Sequence, residues 1–273
     1  MGDGSGCGGG REGVQTVGLI DTHCHFGMLK ERATEVLSEA RAAGVTAAIA
    51  VGIDLESSRR AVGVAERHDE VWATAGVHPH EAMHFDAVAR TGLERLLAHP
   101  RAVAVGECGL DFYRDSSPRD AQRQAFVEQL ELAGAVGKPV VVHSREAAGE
   151  MFALLTEHAR GLTVVLHCFS AVDHVELCNE RGYFVSLAGN LTYKRADDLR
   201  SAVGRVRDDL LLVESDAPYL SPEPHRGSEN RPARVAVTAA ALAHLRGWDA
   251  ARVAEVTSAN ARRAFGLPAA ASV

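Results

Sequence analysis

No run in this 273-residue chain approaches the roughly 18 consecutive apolar residues that a membrane-spanning helix needs, so a membrane is not an expected partner. The opening "MGDGSGCGGGREG" lacks the apolar core of a secretory signal, and a cytoplasmic location is expected. Its Met-Gly start has Gly6 where N-myristoylation wants Ser or Thr. Residues 1–14 read as a flexible Gly-rich tail, with one domain from 15 to 273. Cysteines number five, an odd count with no CxxC pair, which argues against a disulfide framework and against a thiolate zinc cage. Excess positive charge is also missing. A net charge of −7 gives no general affinity for nucleic acid, so any role on DNA must come from a local site.

What the chain has is apolar residues, 46% of the total, arranged in a rhythm of short runs and longer mixed segments. The runs are "VGLID" (17–21), "VTAAIAVG" (45–52), "VWATAGV" (71–77), "AVAVGE" (102–107), "PVVVHS" (139–144), "TVVLHC" (163–168), "YFVSLA" (183–188) and "LLLVES" (210–215). Each is nearly continuous instead of alternating, as expected of parallel strands covered on both faces. Between them lie helical spacings. In "RDAQRQAFVEQLELAGAVG" (119–137), Ala125, Phe126, Leu130, Ala133 and Val136 share a face and Gly137 ends the turn. Eight such units in about 250 residues predict a single-domain α/β fold, a (β/α)8 TIM barrel. A doubly wound open sheet is the alternative, but the first β–α turn, "DTHCHF", has no glycine-rich phosphate loop.

A barrel places its chemistry at the C-terminal ends of its strands. There stand His23 and His25, Glu107 of "GECGLDFYR", His143 of "VVVHSR", His167 of "VVLHCFS" and Asp216 of "VESDAPYL". Strand residues two apart point the same way, so His23 and His25 can grip one ion while Cys24 faces elsewhere. Six such ligands exceed one tetrahedral shell and suffice for two divalent ions, zinc, manganese or magnesium, with Glu107 as the bridge. One ion falls to His23, His25 and Asp216 with Glu107, the other to Glu107, His143 and His167. Asp216 and Glu107 are the expected catalytic carboxylates, Asp216 accepting the proton of the attacking water.

Cys24, Cys108 and Cys168 each follow a ligand and are expected to turn toward the helix layer as small hydrophobes; Cys178 falls in a helical segment. His78 of "GVHPH", Tyr113, Arg114, Arg145, Lys194, Arg226 and Arg231 are candidate substrate contacts, since cationic groups suit a phosphate whose charge grows in the transition state. His80 and His84 are expected to be exposed.

In order, "DTHCHF", "GVHPH", "GECGLDFYR", "KPVVVHSREA", "HCFSA", "LLVESDAPYL", "HRGSENRP" and "TSANARRAFGL" resemble the TatD-type metal-dependent deoxyribonuclease family, from about residue 17 to 267. The resemblance implies a TIM barrel that cleaves DNA phosphodiesters, often from the 3′ end of single strands or fragments, in DNA repair or degradation. It also implies the same six ligands. Ala171 stands where the family usually has glycine, and Arg231 where an acidic residue is common, departures that bear on substrate preference. No obligate protein partner is expected. Two other readings stand beside this one. A small-molecule amidohydrolase would often bridge its metals with a carboxylated lysine, yet the chain has only Lys30, Lys138 and Lys194, and Lys138 precedes strand five. A binding protein that kept the ligands and lost turnover is the other.

Overall fold

The computed structural model describes residues 18–269; the tail read at 1–14 lies outside the described residues. Eight strands follow one another: β1 (Leu19–Cys24), β2 (Val45–Ala50), β3 (Val71–Ala75), β4 (Ala102–Asp111), β5 (Val140–Arg145), β6 (Val164–Leu166), β7 (Phe184–Leu187) and β8 (Leu211–Val213). They pair in sequence order, each parallel to the next. The ring closes where the chain after β8 meets β1. There Asp216 N donates to the carbonyl of His23 at 2.9 Å, His25 N to the carbonyl of Ala217 at 2.8 Å, and Thr22 Oγ1 to the carbonyl of Val213 at 3.0 Å. This is the expected TIM barrel.

Helices α1 (Ala33–Ala42), α2 (Leu55–Arg67), α3 (Ala87–Leu97), α4 (Arg119–Val136), α5 (Ala148–His158), α6 (Val175–Arg181), α7 (Asp197–Gly204) and α8 (Val235–Arg246) alternate with the strands, and α9 (Ala250–Phe265) packs beside α8, β8 and β1. Because helices cover the outer face and side chains fill the inside, strand residues are buried on both sides, which explains their unbroken apolar runs. Helix α4 behaves as its spacing predicts: Ala125, Phe126, Leu130 and Ala133 are buried, and Gly137 caps the end in the left-handed conformation at φ 64°. No helix among the described residues is long and apolar enough to cross a membrane.

Three strands end differently from their apolar runs. Strands β6 and β8 have three residues each, and the chain leaves extended geometry soon after them: Cys168 and Asp216 sit at φ 45° and 52°. Such left-handed residues stop ladder pairing. Strand β4 instead continues four residues past Glu107, pairing Gly109 with His143 and Asp111 with Arg145. Gly109 permits this. Its φ is 139°, and a Cβ there would lie 2.0 Å from the carbonyl oxygen of His143.

Candidate metal centre

His23, His25, Glu107, His143, His167 and Asp216 all gather at the C-terminal mouth of the barrel; all but the fully buried His23 line a cavity of about 720 Å³. His23 and His25 arrive from β1 and its end, Glu107 from β4, His143 from β5, His167 just after β6, and Asp216 from the closing seam after β8. Their donor atoms form two groups around one carboxylate. Oε2 of Glu107 lies 3.3 Å from Nε2 of His23 and 3.6 Å from Nε2 of His25. Those imidazole nitrogens are 3.3 Å apart, and Oδ1 of Asp216 stands 3.5 Å from His25 and 4.0 Å from His23. Four donors held tetrahedrally about 2.0–2.2 Å from a divalent ion lie roughly 3.3–3.6 Å apart; four of these five separations fall in that range, and the His23–Asp216 distance is slightly longer.

The other oxygen of Glu107, Oε1, is 2.9 Å from Nδ1 of His143 and 3.5 Å from Nε2 of both His167 and His78. His78, read from sequence as a substrate contact, thus joins His143 and Glu107 as a third donor. His167 lies between the groups, its ring stacked on that of His23 at 3.6 Å.

Burial alone would push the carboxyl of Glu107 up, but the surrounding imidazoles of His167, His78 and His23 hold it well below the ordinary range. Asp216 follows the same pattern more mildly, held down by His25, His167 and His23. Burial drives His23 and His78 toward the neutral form that a metal requires. His167 differs: burial opposes its charge, yet Glu214 and Glu107 push its pKa up to about 10. Nitrogens Nδ1 of His23 and His25, Nε2 of His143 and Nδ1 of His167 are buried without an aligned hydrogen-bond partner.

The sequence reading missed three buried carboxylates. Asp111, on β4, accepts from His80 Nε2 at 2.9 Å and from the amides of Tyr113 and Arg114, and lies 3.4 Å from His143 Nε2. Glu214 is 2.7 Å from His167 Nδ1. Asp21 accepts from the Ser215 amide and hydroxyl across the seam, and burial pushes its carboxyl up to about 7. Strand parity carried a signal for Asp111, four residues from Glu107 on β4, and for Asp21, two from His23 on β1; Glu214 lies past the end of β8, where alternation gives none.

Two expectations are corrected. Cys168 does not turn outward; the left-handed turn at this residue makes it line the cavity, while Cys24 and Cys108 are fully buried. His80 is not an exposed side chain, because the 3-10 turn Pro79–His84 folds it over the mouth onto Asp111, leaving His84 outside. Of the candidate substrate contacts, Arg114 and Arg145 line the cavity, and Arg145 lies 3.8 Å from the ring centre of exposed Tyr113. Arg226 instead covers the ring of Tyr193 at 4.4 Å, outside the cavity lining. Lys194 is exposed, and Arg231 pairs with Glu31 and Glu39.

No lysine reaches this centre. Lys138 donates to the carbonyl of Leu97 at 2.6 Å, at the opposite end of the barrel, and Lys30 pairs with Glu229 at 3.1 Å. The bridge of a carbamate-type amidohydrolase therefore has no lysine among the described residues to form it, and the carboxylate at the middle of the cluster is that of Glu107.

Residues 20–266 match the family model described as TatD related DNase. The chain is 40% identical over 259 residues to the Mycobacterium tuberculosis protein "Uncharacterized metal-dependent hydrolase TatD", covering 91% of this chain and 98% of that protein. It is 38% identical over 239 residues to the Enterobacter lignolyticus "3′-5′ ssDNA/RNA exonuclease TatD", covering 85% and 92%. Among solved structures, the TatD homologue YjjV of Escherichia coli K12 superposes with a TM-score of 0.86 at 31% identity, over 92% of this chain and 98% of that one. With the barrel, the donor cluster and these similarities in agreement, the chain belongs to the TatD related DNase family of metal-dependent hydrolases.

Proposed function

We propose that this protein is a dinuclear metal-dependent deoxyribonuclease that trims single-stranded DNA from its 3′ end. The observation that carries the reading is the divided carboxylate of Glu107, with Oε2 facing His23 and His25 and Oε1 facing His143, His78 and His167. A carboxylate so divided would be able to hold two ions at once. The exonuclease named for the Enterobacter relative supports the substrate class.

His23, His25, Asp216 and Glu107 would hold one ion, and Glu107, His143 and His167 the other, with His78 beside it. Zinc, manganese or magnesium bound there supplies Lewis acidity toward a phosphate oxygen and lowers the pKa of water. The chain's own groups do the rest. Asp216 positions the attacking water and accepts its proton, because its carboxyl stays ionised next to three imidazoles. Arg114 and Arg145 line the cavity and neutralise the non-bridging oxygens of the scissile phosphate. A cavity of about 720 Å³ is of small-ligand size and takes the end of a strand more readily than the flank of a duplex. The chain as a whole is acidic, at −7, so attraction for phosphate depends on a local site such as this mouth. A cytoplasmic site of action fits the four free cysteines among the described residues.

The test is a digest of 3′-labelled single-stranded DNA with each candidate metal, beside a panel of lactones and cyclic amides. Stepwise release of nucleotides from the 3′ end is expected. Turnover of a lactone or amide with intact DNA would replace the nuclease reading with the amidohydrolase one.

A further inference from the structure

We infer that Glu214 is a positioning residue of the metal centre, fixing His167 as the Nδ1–H tautomer so that Nε2 faces Glu107. The inference rests on the dinuclear reading above. Glu214 follows β8 directly and is 1% exposed, so its polar oxygens sit inside the barrel wall and need partners. One oxygen finds them in two consecutive residues of the turn after β6, while Oε2 has no partner. Its Oε1 accepts the Cys168 amide at 2.7 Å and lies 2.7 Å from Nδ1 of His167. The first bond clamps a residue held at φ 45°, and so fixes where the chain leaves the strand.

Geometry also decides which nitrogen is which. Nε2 of His167 points to Oε1 of Glu107 at 3.5 Å, while Nδ1 faces Glu214 on the other side of the ring. The ring cannot turn over freely, because it is stacked at 3.6 Å and 20° on His23. The Nδ1–H is not aimed straight at the carboxylate, yet it is buried with no aligned partner, and Glu214 Oε1 is within hydrogen-bonding distance. A carboxylate behind a ligating imidazole sets its tautomer and raises its basicity, typically changing metal affinity by about 10–100-fold. His167 and Cys168 with Glu214 also form a donor triple in their own right, so a ligand role for Glu214 is the competing outcome.

The experiment loads the full-length chain with zinc, measures metal content and affinity by elemental analysis and chelator competition, and reads imidazole tautomers by ¹⁵N NMR. Glu214→Ala is expected to hold zinc about 10–100-fold more weakly and to lose the protonated Nδ1 signal of His167. Glu214→Gln keeps an acceptor for that N–H and is expected to retain the tautomer and most of the affinity. Melting curves on both variants separate a metal defect from a folding one. If Glu214→Ala binds zinc within twofold of the parent with an unchanged His167 spectrum, the inference falls. It falls equally if the parent binds more than two zinc ions and Glu214→Ala loses one, since Glu214 is then a ligand. A parent that binds no zinc or other divalent ion would remove the dinuclear reading itself, and with it the inference.

Discussion

The backbone amide of Asp216 donates to the carbonyl of His23 at 2.9 Å, so the seam that closes the barrel also joins two residues of the donor cluster. Their side chains are held at the site by main-chain bonds that a side-chain substitution leaves alone. Asp216→Asn should therefore fold and melt like the parent while losing about 10²–10⁴-fold in DNA turnover, the usual worth of a general base. A variant that cleaves DNA at the parental rate would take the proton-accepting role away from Asp216.

Glu107 faces one donor group with each of its carboxylate oxygens. Glu107→Ala should reduce phosphodiester hydrolysis to background and lower metal content, with circular dichroism unchanged. Full metal occupancy with normal turnover would end its bridging assignment.

Removal of metal should be visible in stability as well as in activity. An ion bound only by the native state at a hundredfold over its Kd adds about 2.7 kcal/mol. For a domain of this size each kcal/mol moves Tm by roughly 2–4 °C. Exhaustive chelation is thus expected to lower Tm by about 5–10 °C, and added zinc or manganese to restore it. A melting curve indifferent to chelator and metal would contradict a preformed centre.

Gly109 lies at φ 139° with no room for a Cβ against the His143 carbonyl. Gly109→Ala should cost at least about 2 kcal/mol, from backbone strain plus displacement of β4 from β5. Differential scanning calorimetry measures this, and because His143 rides on the displaced strand, turnover should fall further than stability alone would cause.

Burial pushes the thiol of Cys178, on α6, from its ordinary value near 9 up to about 12. The native state therefore keeps a proton that the unfolded chain releases. Its contribution to stability is complete below pH 9 and is lost as pH rises toward 12, at up to about 1.4 kcal/mol per unit. Cys178→Ala should flatten that part of the alkaline denaturation curve. An identical slope in parent and variant would show that Cys178 does not titrate differently on folding.

Much of this protein was legible along the chain because the information is local. Covered parallel strands write themselves as unbroken apolar runs, and Gly137 marked the end of α4 because only a residue tolerant of positive φ suits that cap. The His-x-His pair was readable for the same reason, since alternation puts residues two apart on one face. His80 and Cys168 were misread where that rule stops applying: one sits on a 3-10 turn folded over the mouth, the other on a left-handed residue that re-aims the chain.

The residue order by itself determined that there would be eight β–α units and which imidazoles and carboxylates would end them, because periodicity and strand parity act within a few residues. Only the closed barrel decided how those groups are shared. That Oε1 and Oε2 of Glu107 serve different sets of histidines, that His78 stands among the donors, and that Glu214, 47 positions after His167, backs its imidazole all depend on strands distant in sequence meeting at one mouth. Contacts of that kind arise from ring closure, and no local pattern encodes them.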